Sequence, residues 1–322
     1  MLSVVNADNS VKEEAPSSDL ESPMMSALIK VSDDFSGRLR VFTLMEQVNH
    51  LCRGVQRHRG FSMGLLAGNK SFLDNFVLLQ QQVNRRIQLI TAFVNQAPFL
   101  LNHTDVERLH FAWNTIRDNW QEDSVLENFE FHSHFIDQLL VMMGRLIEKV
   151  HRPYGIEIRA LILQKGMSDI RDVDSVYYKL LFFSHGTLPR FIEILGKIRA
   201  LSVHAAATGY CEKEYKKKLH YLLQCVAQER EGLFEVTAYL QASLIGQLPA
   251  LLTIKTYEYK LDFLLKKMDD DFLEAETIKV KEEEAFNLVT DIIDIYWRVV
   301  DDSLNLLNTW QNVDLEQWLI DG

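Results

Sequence analysis

The stretch "LCRGVQRHRGFSMGLLAG", residues 51–68, decides the fold. Val48, Cys52 and Val55 precede Arg59 by eleven, seven and four residues, and Ser62 follows it by three. Those offsets fall on one face of an α-helix, so Arg59 stands on the apolar stripe and not on the solvent side. The run ends at Gly68 and Asn69, residues that terminate helices. A second stretch, "LPRFIEILGKIRALSVHAAATG" at 188–209, repeats the arrangement. Leu188, Ile192 and Leu195 precede Arg199 by the same three intervals, and Ser202 follows by three. Two seam arginines at matching positions suggest an internal repeat.

Working outward, apolar residues recur at three- and four-residue spacing along most of the chain. The pattern predicts helices over about 37–66, 71–95, 105–120, 127–150, 175–207, 212–247, 251–272 and 277–309. The closing "QNVDLEQWLIDG" adds an amphipathic turn or two, and 156–174 reads ambiguously. Only 14 glycines and 6 prolines interrupt 322 residues, which favours long helices. No strand pairing is evident. The expected fold is all-α, two antiparallel helical bundles related by an internal repeat and sharing long helices. The expected division is a disordered, acidic and polar tail over 1–35, a first bundle over 36–155 and a second over 156–322.

Composition narrows the function. The net charge of -11 argues against direct nucleic-acid binding. No apolar run reaches the ~18–20 residues of a membrane span, and the first residues lack the basic-then-apolar order of a signal peptide. A cytoplasmic protein without a membrane role is therefore expected. The three cysteines, Cys52, Cys211 and Cys225, have no metal-ligand spacing and read as packed small side chains. "ERLH" at 107–110 is one Glu-x-x-His motif where a di-iron bundle needs two. His132 and His134, two apart, diverge on a helix and read as surface or partly buried. There is no phosphate loop, nucleophile elbow or zinc pair. The sequence thus offers neither a catalytic set nor a cofactor or metal site, and no enzyme is expected.

The arginines carry the functional question. A buried guanidinium needs a negative partner, because it cannot escape by losing its proton. Neither stripe offers an Asp or Glu. If the two halves pack about an approximate two-fold axis, Arg59 and Arg199 face one another, and an anion between them relieves the repulsion. Gly60, Gly64 and Ala200 near that level leave room. A guanidinium fork matches planar, multi-oxygen anions, and Ser62 or Ser202 could add a hydroxyl. Arg57 lies off the stripe by two residues and reads as solvated or paired with a rim carboxylate. The alternative is a helical interaction scaffold without a small ligand, its seam arginines paired with internal acids such as Glu193 or Glu46. On the ligand reading, truncating either arginine leaves the fold helical.

Three blocks carry a family resemblance. "QRHRGFS" at 56–62 resembles the Gln-x-Glu-Arg-Gly-x-Ser signature of the nitrate- and nitrite-sensing (NIT) domain family. "LPRFIEILGKIRALS" at 188–202 resembles its second block, and "EEEAFNLVTDIID" at 282–294 its closing block. The blocks occur in order over about residues 38–310. The resemblance implies two helical bundles holding nitrate or nitrite between long helices through arginines, matched by Arg59 and Arg199. Ser62, Ser202 and Arg57 complete the candidate ligand set. His58 stands where the family has Glu, so a salt bridge made by that Glu is altered here. Family members pass the signal to an output. This chain offers no catalytic output domain after the second bundle, so an unidentified protein partner is expected, and a homodimer is left open.

Overall fold

The computed structural model describes residues 18–151 and 176–320. All of its regular structure is helical. In chain order the elements are α1 (Ser18–Leu66), α2 (Leu73–Gln96), α3 (His103–Arg117), α4 (Val125–His151), α5 (Val176–Phe182), α6 (Leu188–Thr208), α7 (Lys213–Ser243), α8 (Ala250–Met268) and α9 (Glu282–Ile320). A π-helical turn, Phe183–Thr187, joins α5 directly to α6. The all-α class expected from the spacing is what folds.

Local chemistry sets the ends. Gly68 (φ 98°) and Gly209 (φ 77°) occupy the left-handed conformation that closes α1 and α6, and the Gly209 N–H donates to the Ala205 carbonyl at 3.0 Å. The Asn102 side chain accepts from the Asp105 N–H at 2.8 Å and caps α3. Ser124 and Glu127 exchange hydrogen bonds before α4, a reciprocal capping box.

One boundary moves substantially. Of the tail expected over 1–35, residues 1–17 lie outside the described residues, and 18–35 are the first turns of α1. Ser26, Ile29, Lys30, Ser32 and Asp33 are exposed there, and burial begins at Phe35. Leu20, Met24, Leu28, Val31 and Phe35 fall at helical spacing there, a stripe that the polar and acidic composition of 1–35 outweighs. The ambiguous 156–174 also lies outside the described residues. At the other end, the turn or two expected after 309 is a continuation of α9 to Ile320.

Packing positions the site. α1 lies against α2 and α4 on one side and against α6 and α9 on the other. α6 contacts α1, α4, α7 and α9, and from Leu188 to Ala205 is buried around most of its circumference, Glu193 and Arg199 included, with only Arg190, Ile194 and Lys197 reaching toward solvent. It is the central rod of the molecule, and the two seam arginines meet where α1, α6 and α9 converge.

Candidate functional site

Arg59 is fully buried on α1, and an acid is waiting for it. Its Nη1 donates to Glu193 Oε1 at 2.6 Å and its Nη2 to Glu193 Oε2 at 3.1 Å, a bidentate pair. Nη1 also donates to Ser133 Oγ on α4 at 2.9 Å. Gln56 Nε2 steadies Glu193 Oε2 at 2.9 Å, while Gln56 Oε1 accepts from the Trp297 indole at 3.3 Å. Gly196 makes this approach possible, because a Cβ there would stand 2.9 Å from Arg59 Nη2. Lys197 Nζ, near the surface, lies 3.8 Å from Glu193 Oε1 and 3.7 Å from Asp137 Oδ2.

Arg199, equally buried on α6, has a different set of neighbours. Nη1 donates to Thr290 Oγ1 on α9 at 3.0 Å, and Nη2 donates to the Gln56 carbonyl at 3.1 Å. The guanidinium lies 5.0 Å from the centre of the Phe286 ring, a cation–π contact. Among the described residues no carboxylate comes within ion-pair distance of it. Burial, then the Arg59 and Arg57 charges, push its pKa down to about 9, so at neutral pH it stays protonated. The Nε groups of both arginines are buried without a protein acceptor. The Gly60 Cβ position lies 3.8 Å from Arg199 Nε and 3.4 Å from Phe286. Arg59, Glu193 and Arg199 together carry one uncompensated positive charge in the core.

The other candidates fall into two groups. The serines stand one turn beyond the arginines and turn back on the backbone. Ser62 Oγ is 3.0 Å from the Arg59 carbonyl and 2.6 Å from Asn128 Oδ1, and Ser202 Oγ donates to the Arg199 carbonyl at 3.1 Å. Arg57 points away to the surface, where it meets Asp294 at 3.2 Å with both side chains about half exposed. Gly64, expected to leave space for an anion, is covered by the Phe72 ring.

His132 is a correction: it is wholly buried, while His134 is exposed. His132 Nδ1 lies 2.7 Å from the Asn128 carbonyl, and His132 Nε2 lies 2.7 Å from His58 Nδ1. A carbonyl only accepts, so His132 carries its proton on Nδ1 and accepts from His58 at Nε2. Burial pushes His132 down to about 3 and His58 well below its ordinary value, so both rings are neutral. His58 packs on Phe76 and Trp113. Where the family has a glutamate, this chain places an uncharged ring facing α4.

Sequence reasoning left Glu193 as one of two possible partners and passed over Gln56, Ser133, Gly196, Phe286 and Thr290. The three blocks carry a signal for most of them: Gln56 is the Gln of the first, Glu193 and Gly196 are the Glu and Gly of the second, and Phe286 and Thr290 are the Phe and Thr of the closing one.

No family model and no curated protein matches the chain. Among solved structures, the NasR transcription antiterminator is similar, with a TM-score of 0.62 and 16% identity over 92% of this chain and 76% of that one. At that identity the likeness shows the fold. Among the described residues no helix is long and apolar enough to cross a membrane, and no His, Cys, Asp and Glu group could hold a metal ion.

Proposed function

We propose that this chain is a cytoplasmic, non-enzymatic sensor of a small planar oxyanion, nitrate or nitrite, held at Arg199 and Arg59 where α1, α6 and α9 converge. The observation that carries the reading is Arg199, a fully buried guanidinium with no carboxylate beside it and with a second guanidinium close by. Burying such a charge is expensive unless an anion joins it. A monoanion brings the cluster of Arg59, Glu193 and Arg199 to neutrality, and the two unpartnered Nε–H groups offer it donors. The three sequence blocks add support, since they contribute Arg59, Arg199, Phe286 and Thr290 to one place. The fold shared with a transcription antiterminator fits a regulatory role.

Signalling follows from packing. α1 and α6 bring the two arginines together and α9 supplies Thr290, so an anion that joins them favours one mutual arrangement of the three helices. Its effect is limited to its differential affinity for the two arrangements. An unidentified protein partner reads the change.

The Arg59–Glu193 pair favours a second reading, a helical scaffold whose arginine is satisfied internally and which binds no anion. Calorimetric titration with nitrate, nitrite, chloride and sulfate separates the two. Saturable heat with nitrate or nitrite but not with chloride supports the sensor. Equal, weak responses to all four at matched ionic strength support the scaffold.

A further inference from the structure

The sensor reading leaves one buried charge without a task. An anion site made of two arginines does not need a glutamate, yet Glu193 sits inside it, 2% exposed and bonded through both oxygens to Arg59. A carboxylate in that position competes with any ligand for the same guanidinium.

We infer that Glu193 fixes the charge of the anion this site accepts, admitting one negative charge and rejecting two. The inference rests on the sensor reading and follows from counting. Arg59 and Arg199 contribute two positive charges, and Glu193 removes one. The remaining charged neighbours compensate one another: Lys197 lies between Glu193 and Asp137, and Arg57 faces Asp294 at the surface. His58 and His132 are neutral. A monoanion therefore closes the cluster at zero. A dianion leaves a net negative charge in a site walled by Phe286, Phe129 and Trp297, where an unbalanced charge is strongly disfavoured. Shape alone does not give this selectivity, because a guanidinium fork accepts carboxylates, phosphates and sulfates alike.

The geometry also explains why a glutamate can hold this post without blocking the ligand. Glu193 occupies the Nη edge of Arg59, and the Nε groups of both arginines are left over. Gln56 holds the carboxylate on its far oxygen and, through its own carbonyl, holds Arg199. Counter-ion and ligand donors are therefore distinct atoms within one network.

Two substitutions change the count in opposite directions. Glu193→Gln keeps the shape and an oxygen for Arg59, and raises the cluster from one positive charge to two. Thr290→Asp puts a carboxylate 3 Å-scale distant from Arg199, where Thr290 Oγ1 now accepts at 3.0 Å, and lowers the cluster to zero. The probes are nitrate and sulfite, both three-oxygen anions, with sulfite a dianion at mildly alkaline pH. Binding is read by calorimetry and folding by circular dichroism. The wild type should prefer nitrate. Glu193→Gln should shift the nitrate-to-sulfite affinity ratio toward sulfite by at least about tenfold. Thr290→Asp should lose nitrate affinity by about tenfold or more while remaining helical. A wild-type ratio in a folded Glu193→Gln protein overturns the inference and leaves the sensor standing. Should Glu193→Gln not fold, Thr290→Asp decides alone, and wild-type nitrate affinity in it overturns the inference. A wild type that binds no nitrate removes the sensor reading and this inference together.

Discussion

Arg59 and Arg199 begin from the same sequence pattern and end in different electrostatic situations. Each sits on an apolar stripe at matching offsets, each is fully buried, and each has a serine one turn on. Arg59 is closed by a bidentate carboxylate, a serine and a glutamine-steadied network. Arg199 has a hydroxyl, a backbone carbonyl and an aromatic face. The difference separates two tasks that the sequence presents as one. Arg59 is paired with an acid inside the fold, and Arg199 carries a buried charge with no carboxylate beside it among the described residues.

The largest expected effect tests that division directly. Arg59→Ala strands a buried Glu193 carboxylate and should destabilise the protein by about 3–5 kcal/mol, as breaking a buried pair does. This revises the expectation that either arginine could be truncated without harm to the fold. Arg199→Met should change stability by no more than about 1–2 kcal/mol, since the loss of two hydrogen bonds to uncharged acceptors is offset by the removal of an uncompensated buried charge. It should still abolish nitrate binding. Urea denaturation without ligand measures both, and equal losses would dissolve the comparison.

Acid should act on the Arg59 side. His132, next to Ser133, is pushed from an ordinary 6.5 to about 3 by burial. The folded protein refuses a proton that the unfolded chain accepts, so stability falls as pH drops from 6.5 toward 3, by up to ~1.4 kcal/mol per unit for this group. His185, also pushed to about 3, adds a similar slope elsewhere. The test is therefore the difference between wild type and His132→Asn, whose acid limb should be flatter between pH 7 and 5. Arg199 acts at the opposite end. Burial lowers its pKa from the ordinary guanidinium range to about 9, so its strain is relieved only as pH rises above that value.

A smaller pair of effects probes the space beside each guanidinium. Gly196→Ala drives a methyl group to 2.9 Å from Arg59 Nη2 and should cost about 1–3 kcal/mol. Gly60→Ala meets Phe286 at 3.4 Å and Arg199 Nε at 3.8 Å, so it should cost less than Gly196→Ala while weakening nitrate binding. Thermal melts with and without nitrate check both. Smallest of all is Arg57→Ala. Its half-exposed pair with Asp294 is worth about 0.2–1 kcal/mol at most, and calorimetry should find nitrate affinity within a few fold of wild type.

The legible part of this molecule was the part written in one-sided periodicity. Few breakers, apolar residues at helical spacing and glycines at 68 and 209 place most helix ends within a few residues. The same spacing puts Arg59 and Arg199 inside. Glu193 was harder to read for a geometric reason. It lies six residues before Arg199, about 120° around the helix from the stripe. A stripe analysis assumes one buried face, whereas α6 is buried on all but the strip of Arg190, Ile194 and Lys197. His132 escapes in the same way: the spacing reads it as surface or partly buried, but its ring is wholly buried and closes a hydrogen-bond chain in the core. The π-helical turn at Phe183–Thr187 has no signature in the helical spacing, and in the first turns of α1 the stripe Leu20, Met24, Leu28, Val31 and Phe35 is outweighed by a polar, acidic composition.

The length of α1 has a mechanical consequence. Arg38 clasps the Val150 carbonyl at 2.8 Å, tying α1 to the end of α4. From that clasp to Arg59 is about 31 Å of helix, and from the clasp to Ser18 about 30 Å, at 1.5 Å per residue. Arg38 thus stands near the midpoint of the helix between Ser18 and Arg59. A rigid rod held at Arg38 would answer a sideways step of about 1 Å at Arg59 with about 1 Å the opposite way at Ser18. On the proposed reading, a displacement at the anion site would be read at Ser18, about 60 Å of helix away.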